Sequence, residues 1–268
     1  MSSRNWFMIS VLFLCLLYLN TLHWLVYSWI HNPYYSHGFI VLAISGYFAY
    51  RQRGMEFNIN NSGLYVVTPS VLVHVFSSLW SVEYLSALSF ITALFGLCWT
   101  FYGDQARDIL FPVFFLVLAV PLPIYGITNQ LEVLSAGASA GLVNLLGIEA
   151  THIGAEIHLS ASSFVVGTPC SGIRSIMALL TIAALYAYLI NDRMWLKGLL
   201  VAIAVPIAFV ANILRITSIL TIAEFFNTEI ALGFFHYASD IMLFVLGVIM
   251  LMVFRRCVSC LTSGPHSS

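Results

Sequence analysis

WFMISVLFLCLLYLNTLHWLVYSWI, residues 6–30, contains no Asp, Glu, Lys or Arg. A helix needs about 20 consecutive apolar residues to cross a bilayer core, so this stretch predicts a membrane span. It is too long for the apolar region of a signal peptide and lacks a small-x-small cleavage site, so a retained anchor is expected. Seven further apolar runs follow, near 34–50, 63–82, 84–102, 109–125, 173–190, 195–226 and 237–254. Of the 268 residues, 60% are hydrophobic and 8% are charged, with a mean hydropathy of +0.95. These values lie outside soluble-domain usage. The pattern predicts an all-α polytopic membrane protein: about eight transmembrane helices in one integral membrane domain over 1–268. A short disordered tail is expected at 261–268. The formal net charge of −1 offers nucleic acid no electrostatic footprint.

Basic residues mark cytoplasmic helix ends. Arg4, Arg51, Arg53, Arg107, Arg193, Lys197, Arg255 and Arg256 all become inside marks if eight spans leave both termini inside. The segment 126–148 would reverse that agreement if it crossed, so it is expected on the outer surface or as a re-entrant helix. After it, AEIHLSASSFVVG alternates apolar and polar residues and predicts a short two-stranded β element, either a connector or a substrate-docking strand.

Two of the ten Lys and Arg residues serve no topological purpose, namely Arg174 and Arg215. Arg215 lies 18 residues beyond Lys197, roughly 27 Å along a helix, which puts it near the outer face. An arginine there costs about 2–3 kcal/mol unless paired or wet, and this makes it a functional candidate. Cys15 and Cys98 fall within spans and suit packing. The pair Cys257 and Cys260 is a weak metal or redox signal when it stands alone. Cys170 is the one cysteine expected on the outer side, as a free thiol.

Thr168 as N-cap and Pro169 after it would place Cys170 in the first turn of the sixth span. Helix-end amides and Arg174 one turn on favour a thiolate there, while desolvation opposes it. Gly172 suits the close approach of a substrate backbone. His236 opens the last span at its outer end, with Asp240 one turn later to orient it or cap the helix. Asn212 shares a helix face with Arg215. His37, capped by Ser36, opens the second span on the same side, as a supporting residue or an interfacial one.

In chain order PCSGIRS (169–175), ANILRI (211–216) and FFHYASD (234–240), together with SHGF (36–39) and VPLP (120–123), resemble the exosortase/archaeosortase family of multi-pass cysteine transpeptidases. The resemblance covers essentially the whole chain. It implies Cys170 as nucleophile, Arg215 at the oxyanion or scissile carbonyl, and His236 as acid/base, with Arg174, Asn212, Asp240, His37 and Gly172 in support. It implies as partners secreted proteins with a carboxy-terminal motif of the PEP-CTERM kind, followed by a hydrophobic helix and a basic cluster. It also implies a cell-surface lipid or glycan acceptor, membrane lipids, an inner-membrane location with an extracytoplasmic site, and no cofactor. Two other function classes compete. One is a metal-dependent hydrolase using His152, Glu156, His158, His236 and Asp240, although their spacing fits no helical metal motif. The other is a transporter or lipid-carrier scaffold, although no inverted repeat is evident.

Overall fold

A computed structural model describes residues 2–123, 125–160, 162–167, 172–226 and 234–262, with side chains described at all of these except 125, 234–243 and 259–262. The chain divides into two compact units, Met1–Pro123 and Ile124–Ser268, both built mainly of helices.

The first unit contains α1 (Ser3–Leu17), α2 (Leu19–His31), α3 (Gly38–Arg51), α4 (Leu64–Leu79) and α5 (Glu83–Tyr102). A 3₁₀ stretch, the short α6 (Leu110–Phe115) and a second 3₁₀ turn to Ala119 complete it. The run at 6–30 is not one straight span, because α1 and α2 meet at a 71° bend. Neither proline nor glycine makes the break. Tyr18, fully buried at the junction, donates its hydroxyl to the Ser70 carbonyl at 3.3 Å and accepts from the Ser89 hydroxyl at 3.2 Å. Its ring lies on the His74 imidazole with centroids 3.9 Å apart, and Ser86 bonds both His74 Nδ1 (2.7 Å) and the Thr21 hydroxyl (2.5 Å). In an apolar medium polar groups must find partners within the protein, and these long-range bonds draw the chain inward at Tyr18.

Small residues let α4 and α5 approach closely: a Cβ on Gly63 would sit 2.3 Å from the Gly96 carbonyl oxygen. Beyond Ala119 the backbone turns extended at Val120 and loses helical partners. Three side chains take up its carbonyls. Trp29 Nε1 donates to Ala119 at 2.8 Å, the Tyr35 hydroxyl donates to Leu122 at 2.8 Å, and His37 Nε2 lies 3.0 Å from the Leu118 oxygen.

Among the described residues, three helical stretches are long and apolar enough to cross a membrane: Asn61–Leu79, Glu83–Ala119 and Met194–Phe225. The bent α1–α2 pair makes a fourth if it counts as one span. The predicted fourth run and most of the fifth merge into Glu83–Ala119, because 3₁₀ turns and Pro112 leave α6 only 6 residues.

The second unit begins with α7 (Tyr125–Leu145), so the segment at 126–148 is helical as expected. The β element has three strands rather than two: β1 (Ala150–Ile153), β2 (Glu156–Leu159) and β3 (Ser163–Val165), antiparallel in the order β1-β2-β3. Ala150, Ile157, Leu159 and Phe164 bury the inner face in one cluster with α7. Three helices follow: α8 (Ile173–Leu189), α9 (Met194–Phe225) and α10 (Phe234–Thr262). Residues 261–262, expected in the tail, belong to α10, and 263–268 lie outside the described residues.

Candidate active site

Along α9 the buried stripe changes partner. Leu196, Leu200, Ala204, Ile207 and Ala208 pack with Ile176, Leu179 and Ala183 of α8 and Leu251 of α10. Further on, Ile216, Ile219, Leu220 and Ala223 pack against α7 and the inner face of the sheet. Between these apolar clusters, on the same stripe, lie Asn212 at 0% and Arg215 at 4% exposure. Their three-residue spacing sets them on one helix face. Arg215 therefore does not snorkel to headgroups. It is held inside protein, where a guanidinium costs about 2.5–3.5 kcal/mol in hydrocarbon before its partners are counted.

Gly172 meets this layer from α8. Its φ of +85° is a left-handed conformation that penalises any side chain, and a Cβ there would lie 3.0 Å from Asn212 Nδ2 and 3.2 Å from Asn212 Cβ. The Gly172 carbonyl accepts the first helical bond of α8 from the Ile176 amide at 2.9 Å. The helix thus begins at Ile173, later than the Thr168 cap predicted from sequence. Cys170, with Thr168, Pro169 and Ser171, lies outside the described residues. Cys170 is two residues from Gly172 in the chain. Arg174, on the first turn of α8, is exposed and stands apart from the buried layer.

The register of α10 against α8 follows from one contact. A Cβ on Gly247 would lie 3.3 Å from Leu179 Cδ2, which sets those two positions level. At 1.5 Å per residue, Asp240 then comes level with Gly172, and His236 about 6 Å beyond it toward the start of the helix. The side chains of His236 and Asp240 are outside the described residues.

The opposite end of the same three helices is tied by charge. Arg255 Nε donates to Asp192 Oδ2 at 2.7 Å, and its Nη1 donates to the Tyr186 hydroxyl at 3.0 Å. The hydrogen bond from Arg255 holds the Asp192 carboxyl below the ordinary carboxylate range, and the Arg255 guanidinium is in turn held protonated. The basic residues expected on one membrane face, Arg193 and Arg255, do gather at one end of the unit.

Other predicted residues have local partners of their own. His37, in the first unit, is engaged with the Leu118 carbonyl. His152 pairs with Ile157 across the sheet and its ring lies against Gly137 of α7, whereas His158 pairs with Thr151 on the outer face, 3.9 Å from Glu156. His152 and His158 of the rival metal set therefore occupy opposite faces of the sheet, and the side chains of His236 and Asp240 lie outside the described residues. Sequence reasoning missed Asn144, whose amide donates to the Ala150 carbonyl and accepts from the Ala150 amide, both at 2.8 Å. Its place before the Leu-Leu-Gly turn that leads into β1 was the available signal.

Fold and site together define a helical membrane protein with a small β cap and, among the described residues, one buried guanidinium beneath it. The family model for transmembrane exosortases matches residues 29–253, and the chain belongs to that family. Membership carries the family's general activity, that of a membrane transpeptidase. No curated protein and no solved structure matches the chain.

Proposed function

We propose that this exosortase cleaves carboxy-terminal sorting signals at the outer face of the plasma membrane through a thioester on Cys170. The observation that carries the reading is the buried Arg215–Asn212 layer, against which Gly172, two residues from Cys170, is packed without room for a side chain. In this reading the Cys170 thiolate attacks the scissile carbonyl and its carbon–nitrogen bond breaks. The departing amine takes a proton from His236, oriented by Asp240. Arg215, shielded from water, stabilises the oxyanion as it forms, and Asn212 holds either the guanidinium or the substrate backbone. An amine or hydroxyl of a cell-surface lipid or glycan then attacks the thioester and regenerates the thiol. Eight passes with both termini inside would set these groups on the extracytoplasmic side, and the Asp192–Arg255 tie at the other end of the unit supports that polarity. No step draws on a cofactor.

The test is chemical trapping. A secreted protein carrying a carboxy-terminal motif, hydrophobic helix and basic cluster, co-expressed with the enzyme, should form an adduct that hydroxylamine releases. Cys170→Ala should abolish the adduct. An adduct that survives this substitution, or one that hydroxylamine does not cleave, contradicts a Cys170 thioester.

A further inference from the structure

The two edges of the sheet differ. In the β2–β3 ladder the bonded pairs are set by the Val166 amide donating to the Ala155 carbonyl and the Leu159 amide donating to the Ser162 carbonyl, both at 2.8 Å. With Ile157 opposite Phe164 in the same register, alternation makes Glu156–Val165 and His158–Ser163 the non-bonded pairs. The backbone groups of Ser163 and Val165 therefore point away from β2, at the open side of the terminal strand. The Val165 carbonyl is taken by the Gly167 amide at 2.9 Å. That leaves the Ser163 amide, the Ser163 carbonyl and the Val165 amide directed outward. On the other edge, Asn144 occupies both backbone groups of Ala150, while those of His152, in a non-bonded pair with Ile157, point outward as well.

Edge strands are normally blunted by shortness, charge, proline, a bulge or a covering element, and of these β3 shows only shortness, at 3 residues. The Ser163–Val165 strand carries neither lysine nor proline, and Val165 is 70% exposed. Across the same outer face Ile153 is 76% exposed, in the cross-strand row that also holds Glu156. Five residues of chain join Val165 to Cys170, a reach of about 17 Å at most.

We infer that β3 is a docking edge for the substrate polypeptide, which adds as a fourth strand in extended form and is thereby fed to Cys170. This rests on the transpeptidase reading and names how its substrate is held. An alternating donor and acceptor row is complementary to an extended peptide backbone, and the exposed Val165 side chain beside it offers one apolar cross-strand contact to the added strand. The sheet then does two jobs. Its inner face covers the apolar stripe beyond Arg215, and its free edge aligns the scissile bond.

Val165→Pro tests this cleanly. It removes an outward amide while leaving the inward ladder bonds of Phe164 and Val166, and an edge strand tolerates proline there. KM for the tailed substrate should rise about tenfold, the value of one backbone hydrogen bond, with labelling of Cys170 by a small thiol reagent unchanged. Val165→Ala keeps the amide and should raise KM by less. An unchanged KM in Val165→Pro, or an equal rise in both variants, would overturn the docking edge. If Val165→Pro does not fold, a photo-cross-linker at Ser163 decides. Capture of substrate next to its cleavage motif supports the edge; capture of only a second copy of the chain, or of nothing, overturns it. Processing that persists in Cys170→Ala would sink the transpeptidase reading and the edge with it. An inert Cys170→Ala beside an unaffected Val165→Pro sinks the edge alone.

Discussion

The two ends of the three-helix core in the second unit carry arginines in opposite circumstances. At one end Arg255 sits at a partly exposed surface and is held by Asp192 and Tyr186. At the other, Arg215 is buried at 4% exposure between two apolar clusters, beside Asn212 and under the sheet. A surface pair contributes little to stability, and its charge identity is cheap to change. A buried guanidinium is expensive to keep, so its retention calls for a function that a neutral side chain would not serve. The difference teaches where to look for chemistry in an apolar bundle: at the charge the fold encloses, not at the charge it ties at the rim.

Substitution should separate the ends. Arg215→Lys is expected to lower the substrate-processing rate about 100-fold, because an ammonium cannot reproduce a planar donor pair at an oxyanion. Arg255→Lys should leave that rate within about twofold, since exposed pairs carry little energy. Gel-shift kinetics on the same tailed substrate read both, and similar losses at the two ends would erase the distinction.

Gly172→Ala comes next. Strain at its positive φ and the clash with Asn212 together cost about 1–3 kcal/mol, enough to slow processing about tenfold while the protein still inserts. Adding Asn212→Ala should recover part of the thermal stability, because the amide atoms nearest the new methyl are gone while the Cβ contact and the strain at positive φ remain, without recovering the rate. Recovery of both would mean that Asn212 only fills space.

Arg255→Ala and Asp192→Asn should each lower the unfolding temperature slightly, with the double variant little worse than either single one, and thermal unfolding in detergent checks this. The smallest effect concerns pH. A carboxyl held below its ordinary 3.8 by Arg255 adds stability above that value and loses it as pH falls through the lower folded-state value. The contribution of this pair should stay constant from about pH 7 to 5 and decline only below about pH 4. Asp192→Asn should flatten that acid limb.

Local pattern and long-range contact explain what the sequence revealed and what it hid. The apolar runs and the two arginines without a topological purpose were legible because hydropathy and charge are properties of single positions. The burial of Arg215 could be anticipated as a cost, though not the apolar clusters that flank it. The bend at Tyr18 was hidden because its causes, Ser70 and Ser89, lie 52 and 71 residues away. A strand of 3 residues, β3, is too short to show a period of two. Thr168-Pro169 is a sound helix-start signal, yet the described helix starts at Ile173, where Gly172 in a left-handed conformation turns the chain against Asn212. Arg174, expected beside the Cys170 thiol by spacing, is exposed on the first turn of α8.

The central claim is that the enclosed arginine serves a cysteine nucleophile, and one comparison tests it directly. Processing of a co-expressed tailed substrate should be followed in the parental protein, in Cys170→Ala, and in a Cys15→Ala/Cys98→Ala double variant. All three should insert equally in the membrane. The account predicts no processed substrate with Cys170→Ala and a near-parental rate with the double variant, since Cys98 is buried and Cys15 half-buried within helices of the first unit. Parental-rate processing by Cys170→Ala would contradict it outright.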